Sequence, residues 1–145
     1  MMKIAIGDST EFSKTVTEAD IATFVALSGD DYEAHTSDEF MKSSSFGRRI
    51  AHGALLVGFM SAAGTRMIRL MKERGDTTTP VSLGYEKMRF VAPVFPGDTI
   101  TVRYAVTAVD PDRARSTASL EVINHTGATV AVAEHIMKWL SYPIG

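Results

Sequence analysis

The residues from Gly53 to Gly75, GALLVGFMSAAGTRMIRLMKERG, form one long apolar segment without the alternation of a strand, and after Pro80 the hydrophobic period changes to two. The first pattern predicts a long central helix that starts just after His52. The second predicts strands near Val81 to Val91, Thr99 to Val109, Arg115 to Asn124 and Thr129 to Leu140. Ile100, Val102, Tyr104 and Val106 alternate with Thr101, Arg103, Ala105 and Thr107, as in a sheet with one buried face. Turns are expected at Val94 to Asp98, Asp110 to Asp112 and Asn124 to Gly127. On the helix, Ala54, Gly58 and Ala62 make one side nearly flat, whereas Leu55, Phe59, Met60 and Met67 are bulky. The flat side is expected to receive the sheet.

Upstream, TEADIATFVALSG reads as a shorter helix, capped by Thr17, striped by Ile21, Phe24, Val25 and Leu27, and stopped at Gly29. A loop follows, with a short helix expected over Ser37 to Lys42. Helical elements first and antiparallel strands afterwards give an α+β fold, a single domain over residues 1–145 in which an antiparallel sheet covers the long helix. An open sheet has two edges, and pairing across a homodimer is the common way to protect them.

A chain of 145 residues can bury one core without disulfides or metal. Its formal net charge of -2 gives no overall field for nucleic acid or an anionic membrane, so neither partner is expected. The absence of cysteine excludes thiol catalysis and is compatible with the cytoplasm. The N-terminus lacks the apolar core of a secretory signal, and the uncharged run Gly53 to Thr65 is shorter than the roughly 20 residues of a membrane span. A cytoplasmic protein is the expectation.

The chemistry-bearing residues cluster in SGDDYEAH, residues 28–35, and IAHG, residues 50–53. An Asp and a His a few residues apart can hold one water between a proton acceptor and a second acid or base. Spacing alone does not choose between Asp30 and Asp31, and both also suit a simple turn after the helix. Gly53, behind His52 at a helix N-terminus, can offer an unobstructed backbone N–H to a developing oxyanion or can merely allow close packing. Ser61 in GFMSA lacks the second Gly of a nucleophile elbow. The four His residues show no metal-ligand spacing, so no metal is expected, and no nucleotide fingerprint is present. His125 and His135 read as structural, and Arg48, Arg49, Arg66, Arg69, Lys87 and Arg89 are available as surface cations.

SGDDYEAH, IAHG and LGYEKMRFVAPVFPGDTI together resemble the MaoC-like dehydratase family, which includes the (R)-specific enoyl-CoA hydratases. The family's loop usually reads S-G-D-x-N-P-[LI]-H, its downstream stretch [IV]-x-H-G, and a later segment F-x-x-P-V-x-x-G-D. The resemblance implies a single hot-dog domain, usually dimeric. It implies that Asp30 and His35 are catalytic, that the Gly53 N–H holds the thioester oxygen, and that Ser61 and His52 support the site. Tyr32 stands where the family usually has Asn, and Glu33 where it has Pro.

The implied reaction is reversible hydration of trans-2-enoyl-CoA to (R)-3-hydroxyacyl-CoA, without metal or redox cofactor, coenzyme A arriving as part of the substrate. Arg48, Arg49 and Arg89 are the candidates for its phosphates. The alternatives are a hot-dog acyl-CoA thioesterase, which would direct water at the carbonyl carbon, and a non-catalytic acyl-CoA binding module.

Overall fold

The computed structural model describes residues 1–141. Its elements are β1 (Ser9–Thr15), α1 (Glu18–Ser28), α2 (Glu33–Thr36), α3 (Asp38–Met41), α4 (Gly53–Glu73), β2 (Thr79–Phe90), β3 (Thr99–Asp110), β4 (Arg115–Asn124) and β5 (Thr129–Leu140). All strand pairs are antiparallel, in the order β1-β3-β4-β5-β2. The one-faced alternation holds: Ile100, Val102, Tyr104 and Val106 are all buried. The register sets Val102 beside Val122 and Val122 beside Ala131, and Tyr104 beside Leu120 and Leu120 beside Ala133, so apolar rows run across the sheet.

Those rows pack on α4, but on the side opposite to the one expected. Leu55, Leu56, Met60, Ala63, Gly64, Met67 and Met71 are its buried residues, whereas Ala54 and Gly58 face solvent. Met60, Met67 and Met71 are long and adaptable enough to fill the space beneath the sheet, so bulk is taken by the core and Ala54 and Gly58 are left outside. By length and composition α4 is also apolar enough to cross a membrane. Here its bulky side is consumed by the sheet.

At α1, Thr17 accepts from the Asp20 N–H and Asp20 accepts from the Thr17 N–H, a reciprocal cap that fixes the start. Gly29 ends the helix in the left-handed region at φ 80°, donating to the Val25 carbonyl. Of the apolar stripe expected on α1 only Ile21 is buried, and Leu27 is 82% exposed. The expected short helix over Ser37 to Lys42 is α3, capped by the Ser37 hydroxyl, and α2 precedes it. β1 has no counterpart among the strands expected from the sequence. Only Phe12 among its seven residues is a large apolar side chain, so its place at the sheet edge rests on backbone pairing with β3.

Candidate active site

Three hydrogen bonds stitch the loop after α1 to the segment that enters α4. The Ile50 N–H donates to the Ala34 carbonyl at 3.1 Å, His35 Nδ1 meets the Ile50 carbonyl at 2.8 Å, and His52 Nε2 meets the Asp30 carbonyl at 2.9 Å. The Ala51 N–H, donating to the Val94 carbonyl at 2.7 Å, ties that segment in turn to the approach to β3. A carbonyl only accepts, so each imidazole carries its proton on the nitrogen facing it. His35 is therefore left with Nε2 as the ring nitrogen not committed to a backbone carbonyl. His52 is left with the lone pair of Nδ1, which is buried and has no partner among the described residues.

The two rings stack with centroids 3.8 Å apart and planes 27° from parallel. One donor atom from each of Asp30, His35 and His52 lies within 4.8 Å of the others. Asp30 is exposed, His35 is half-buried and His52 is 1% exposed, so the trio grades from solvent into the protein. A water set against the outer two would touch a carboxylate and an imidazole together. Asp31 is exposed and takes no part in the trio, which separates two residues that spacing leaves equivalent.

His52 is the N-cap of α4, and it lends no side-chain hydrogen bond to the first turn. The N–H of Gly53 is therefore among the first four of the helix, which have no intrahelical acceptor, at the positive end of the dipole. Both meanings of Gly53 acquire substance here. A Cβ placed on it would stand 2.6 Å from Cδ2 and Cε2 of Phe90, so only glycine permits this approach of the ring. His35, Phe46, Gly53, Leu56 and Phe90, with the segment Val91 to Val94, line a cavity of about 310 Å³.

A family model described as a MaoC-like domain matches residues 3–128. The chain belongs to the MaoC-like dehydratase family. It is 37% identical to an (R)-specific enoyl-CoA hydratase of Rhodospirillum rubrum, over 74% of this chain and 69% of that protein. It is 42% identical to the MaoC protein of Klebsiella aerogenes over 62% of this chain, a match that spans only 25% of that longer protein. Among solved structures, an (R)-hydratase from A. caviae involved in PHA biosynthesis superposes with a TM-score of 0.79 at 29% identity, covering 94% of this chain and 97% of that one. The hot-dog fold implied by the sequence resemblance is thereby established.

Other residues singled out in the sequence of this MaoC-like protein lie elsewhere. Ser61 is two turns along α4 from Gly53 and exposed. Arg49 is occupied by Glu18 at 2.5 Å and Asp38 at 3.2 Å, which makes it a clasp between α1 and α3. Arg48 lies over the Phe95 ring at 4.2 Å and is exposed, as is Arg89. Tyr32 stands edge-on to His35 and to Phe40, with its side chain largely in solvent. Glu33 opens α2 and is exposed.

His135 has the connectivity of a relay, with Nε2 2.7 Å from the Ser82 hydroxyl and Nδ1 2.8 Å from the Tyr104 hydroxyl. Burial pushes its imidazole down to about 4, which leaves it a poor base at neutral pH and fits its reading as a structural residue. Burial moves the Tyr104 phenol in the opposite direction, upward. The functional features that the sequence reading missed are the Ile50 carbonyl that orients His35 and the ring of Phe90. The first carries no side-chain signal. The second is the leading aromatic of the F-x-x-P-V-x-x-G-D segment.

Proposed function

We propose that this protein adds water across the double bond of a trans-2-enoyl-CoA to give an (R)-3-hydroxyacyl-CoA, and catalyses the reverse dehydration. The observation that carries the reading is the meeting of Asp30, His35 and His52 donor atoms within 4.8 Å beside the free N–H at the start of α4. Asp30 accepts a proton from the held water as its oxygen bonds to the β-carbon. His35, with Nδ1–H committed to the Ile50 carbonyl, accepts a hydrogen bond from the same water at Nε2. The proton taken up by this pair returns to the α-carbon on the same face, so one water is consumed as OH and H. The Gly53 N–H holds the thioester oxygen while it carries enolate charge, and loss of such a donor costs on the order of a hundredfold in rate.

His52 is a positioning residue in this scheme. One ring fixes the Asp30 backbone through Nε2, supports the face of His35, and adjoins Gly53 in the chain. No step calls for a metal or redox group, and coenzyme A enters with the substrate. Arg48 and Arg89 are the cations free to meet its phosphates, and Arg49 is not. A homodimer is part of the proposal, supported by the unpaired outer edge of β2 with exposed Val81 and Leu83 and by the flat outer side of α4. A cytoplasmic location is supported by the absence of cysteine.

Loss of the enoyl-thioester absorbance of crotonyl-CoA by the wild type, with Asp30→Asn and His35→Ala each at least about a hundredfold slower, is the expected result. Release of free coenzyme A thiol in place of hydration would point instead to a thioesterase.

A further inference from the structure

We propose that Phe90 determines substrate specificity by excluding substituents on the acyl α-carbon. This rests on the hydratase reading. A thioester oxygen accepting from the Gly53 N–H lies about 3 Å from that nitrogen. The carbonyl carbon and the α-carbon are one and two bonds beyond it. The Phe90 ring packs so tightly on Gly53 that a Cβ there would sit 2.6 Å from two ring carbons and 2.8 Å from Cγ. Ring and α-carbon are thus neighbours across the same glycine. The β-carbon belongs at Asp30 and His35, so the substituent that meets the ring first is one on the α-carbon, and Phe90 reads bulk beside the carbonyl.

The strand is shaped to put the ring there. β2 pairs with β5 through a first register shift between Ser82 and Gly84, runs on to Glu86 opposite Glu134, then resumes with Arg89 opposite Val132, so a further extra residue is accommodated between Glu86 and Arg89. Lys87 takes up the excess at φ 52°, a left-handed conformation unusual for a lysine. A bulge re-aims the side chains that follow it. Phe90, 52% exposed at the end of an edge strand, spends its contacts on Gly53 and the cavity and is no part of the buried core. A large aromatic in that position is poor value for stability and good value for shaping the site.

The test compares wild type, Phe90→Ala and Phe90→Leu on crotonyl-CoA, its α-methyl counterpart and trans-2-hexenoyl-CoA. The kcat/KM ratio of α-methyl to unbranched substrate should rise at least about tenfold in Phe90→Ala and by less in Phe90→Leu, the range that one methyl commands in an apolar pocket. The hexenoyl-to-crotonyl ratio should stay within about twofold of wild type. An unmoved α-methyl ratio in a variant that still hydrates crotonyl-CoA overturns the proposal while leaving the hydratase reading intact, and so does a change confined to chain length. If Phe90→Ala is inactive, Phe90→Leu decides by the same ratio. A wild type that hydrates none of the three removes the hydratase reading and this proposal with it.

Discussion

A methyl group added at Gly53 has nowhere to go unless the Phe90 ring swings out, because the nearest ring carbons would be 2.6 Å away. Gly53→Ala should cost about 1 kcal/mol through displacement of the ring. In a Phe90→Ala background the same substitution should be nearly neutral, so denaturant unfolding of the two single variants and the double variant should return a coupling of similar size. Additive losses would mean that Gly53 is required for another reason. Arg49 gives a second contrast. Its guanidinium is held by Glu18 and Asp38, and these groups sustain its charge against the effect of burial. Arg49→Ala should therefore lower stability by up to about 1 kcal/mol and leave the KM for an acyl-CoA unchanged, whereas Arg48→Ala combined with Arg89→Ala should raise KM severalfold, more so at low salt.

α1 exists in this architecture to deliver Asp30, and both of its ends are specified locally. The Thr17 and Asp20 cap starts it, and Gly29 at φ 80° turns the chain so that the Asp30 carbonyl faces His52. Gly29→Ala should cost about 1 kcal/mol from the left-handed backbone and should lower kcat more than KM, since the carboxylate would be misplaced without loss of the binding surface. Steady-state kinetics beside unfolding curves checks this, and an unchanged kcat would show that the loop tolerates the error. Elements governed by such local signals were legible in the sequence: α1 with its caps, α4 from its length, and β3 to β5 from alternation that begins and ends where the turns fall. β1 was not, because a strand of polar residues paired along one edge has no hydrophobic period to detect. The outward face of α4 was misjudged because small residues permit close approach by any neighbour and do not name one. At the site, Asp30, His35 and Gly53 stand out as a pattern once the resemblance is seen. The stack of His35 on His52, the carbonyls that fix their protons and the ring on Gly53 are tertiary facts between segments 15 to 37 residues apart.

Among the described residues, buried His135 and Asp76 lie outside the Asp30, His35 and His52 cluster and set the direction of the acid response. His135 is enclosed under the sheet between Tyr104, Ser82 and the stacked ring of Tyr85, and its imidazole falls from 6.5 to about 4. The unfolded chain then binds the extra proton between those limits, so stability is full above about pH 6.5 and declines as pH falls toward 4, by on the order of 3 kcal/mol. Asp76 adds a later stage. Burial alone would raise its carboxyl, but bonds from Thr78 and the Lys3 N–H, with the nearby charge of Lys72, hold it below its ordinary 3.8. Its contribution is present above about 3.8 and is lost as pH falls through its lower folded value. Denaturant midpoints taken at fixed protein concentration should therefore drop between pH 7 and pH 4.5, and His135→Gln, which can still bond Ser82 and Tyr104 but cannot titrate, should flatten that limb while leaving the steeper loss below pH 4. A wild-type midpoint that is level from pH 7 to pH 4.5 would show that the packing around His135 opens enough to solvate the charged imidazole, and the row of Tyr104, His135 and Tyr85 would then be a yielding part of the core.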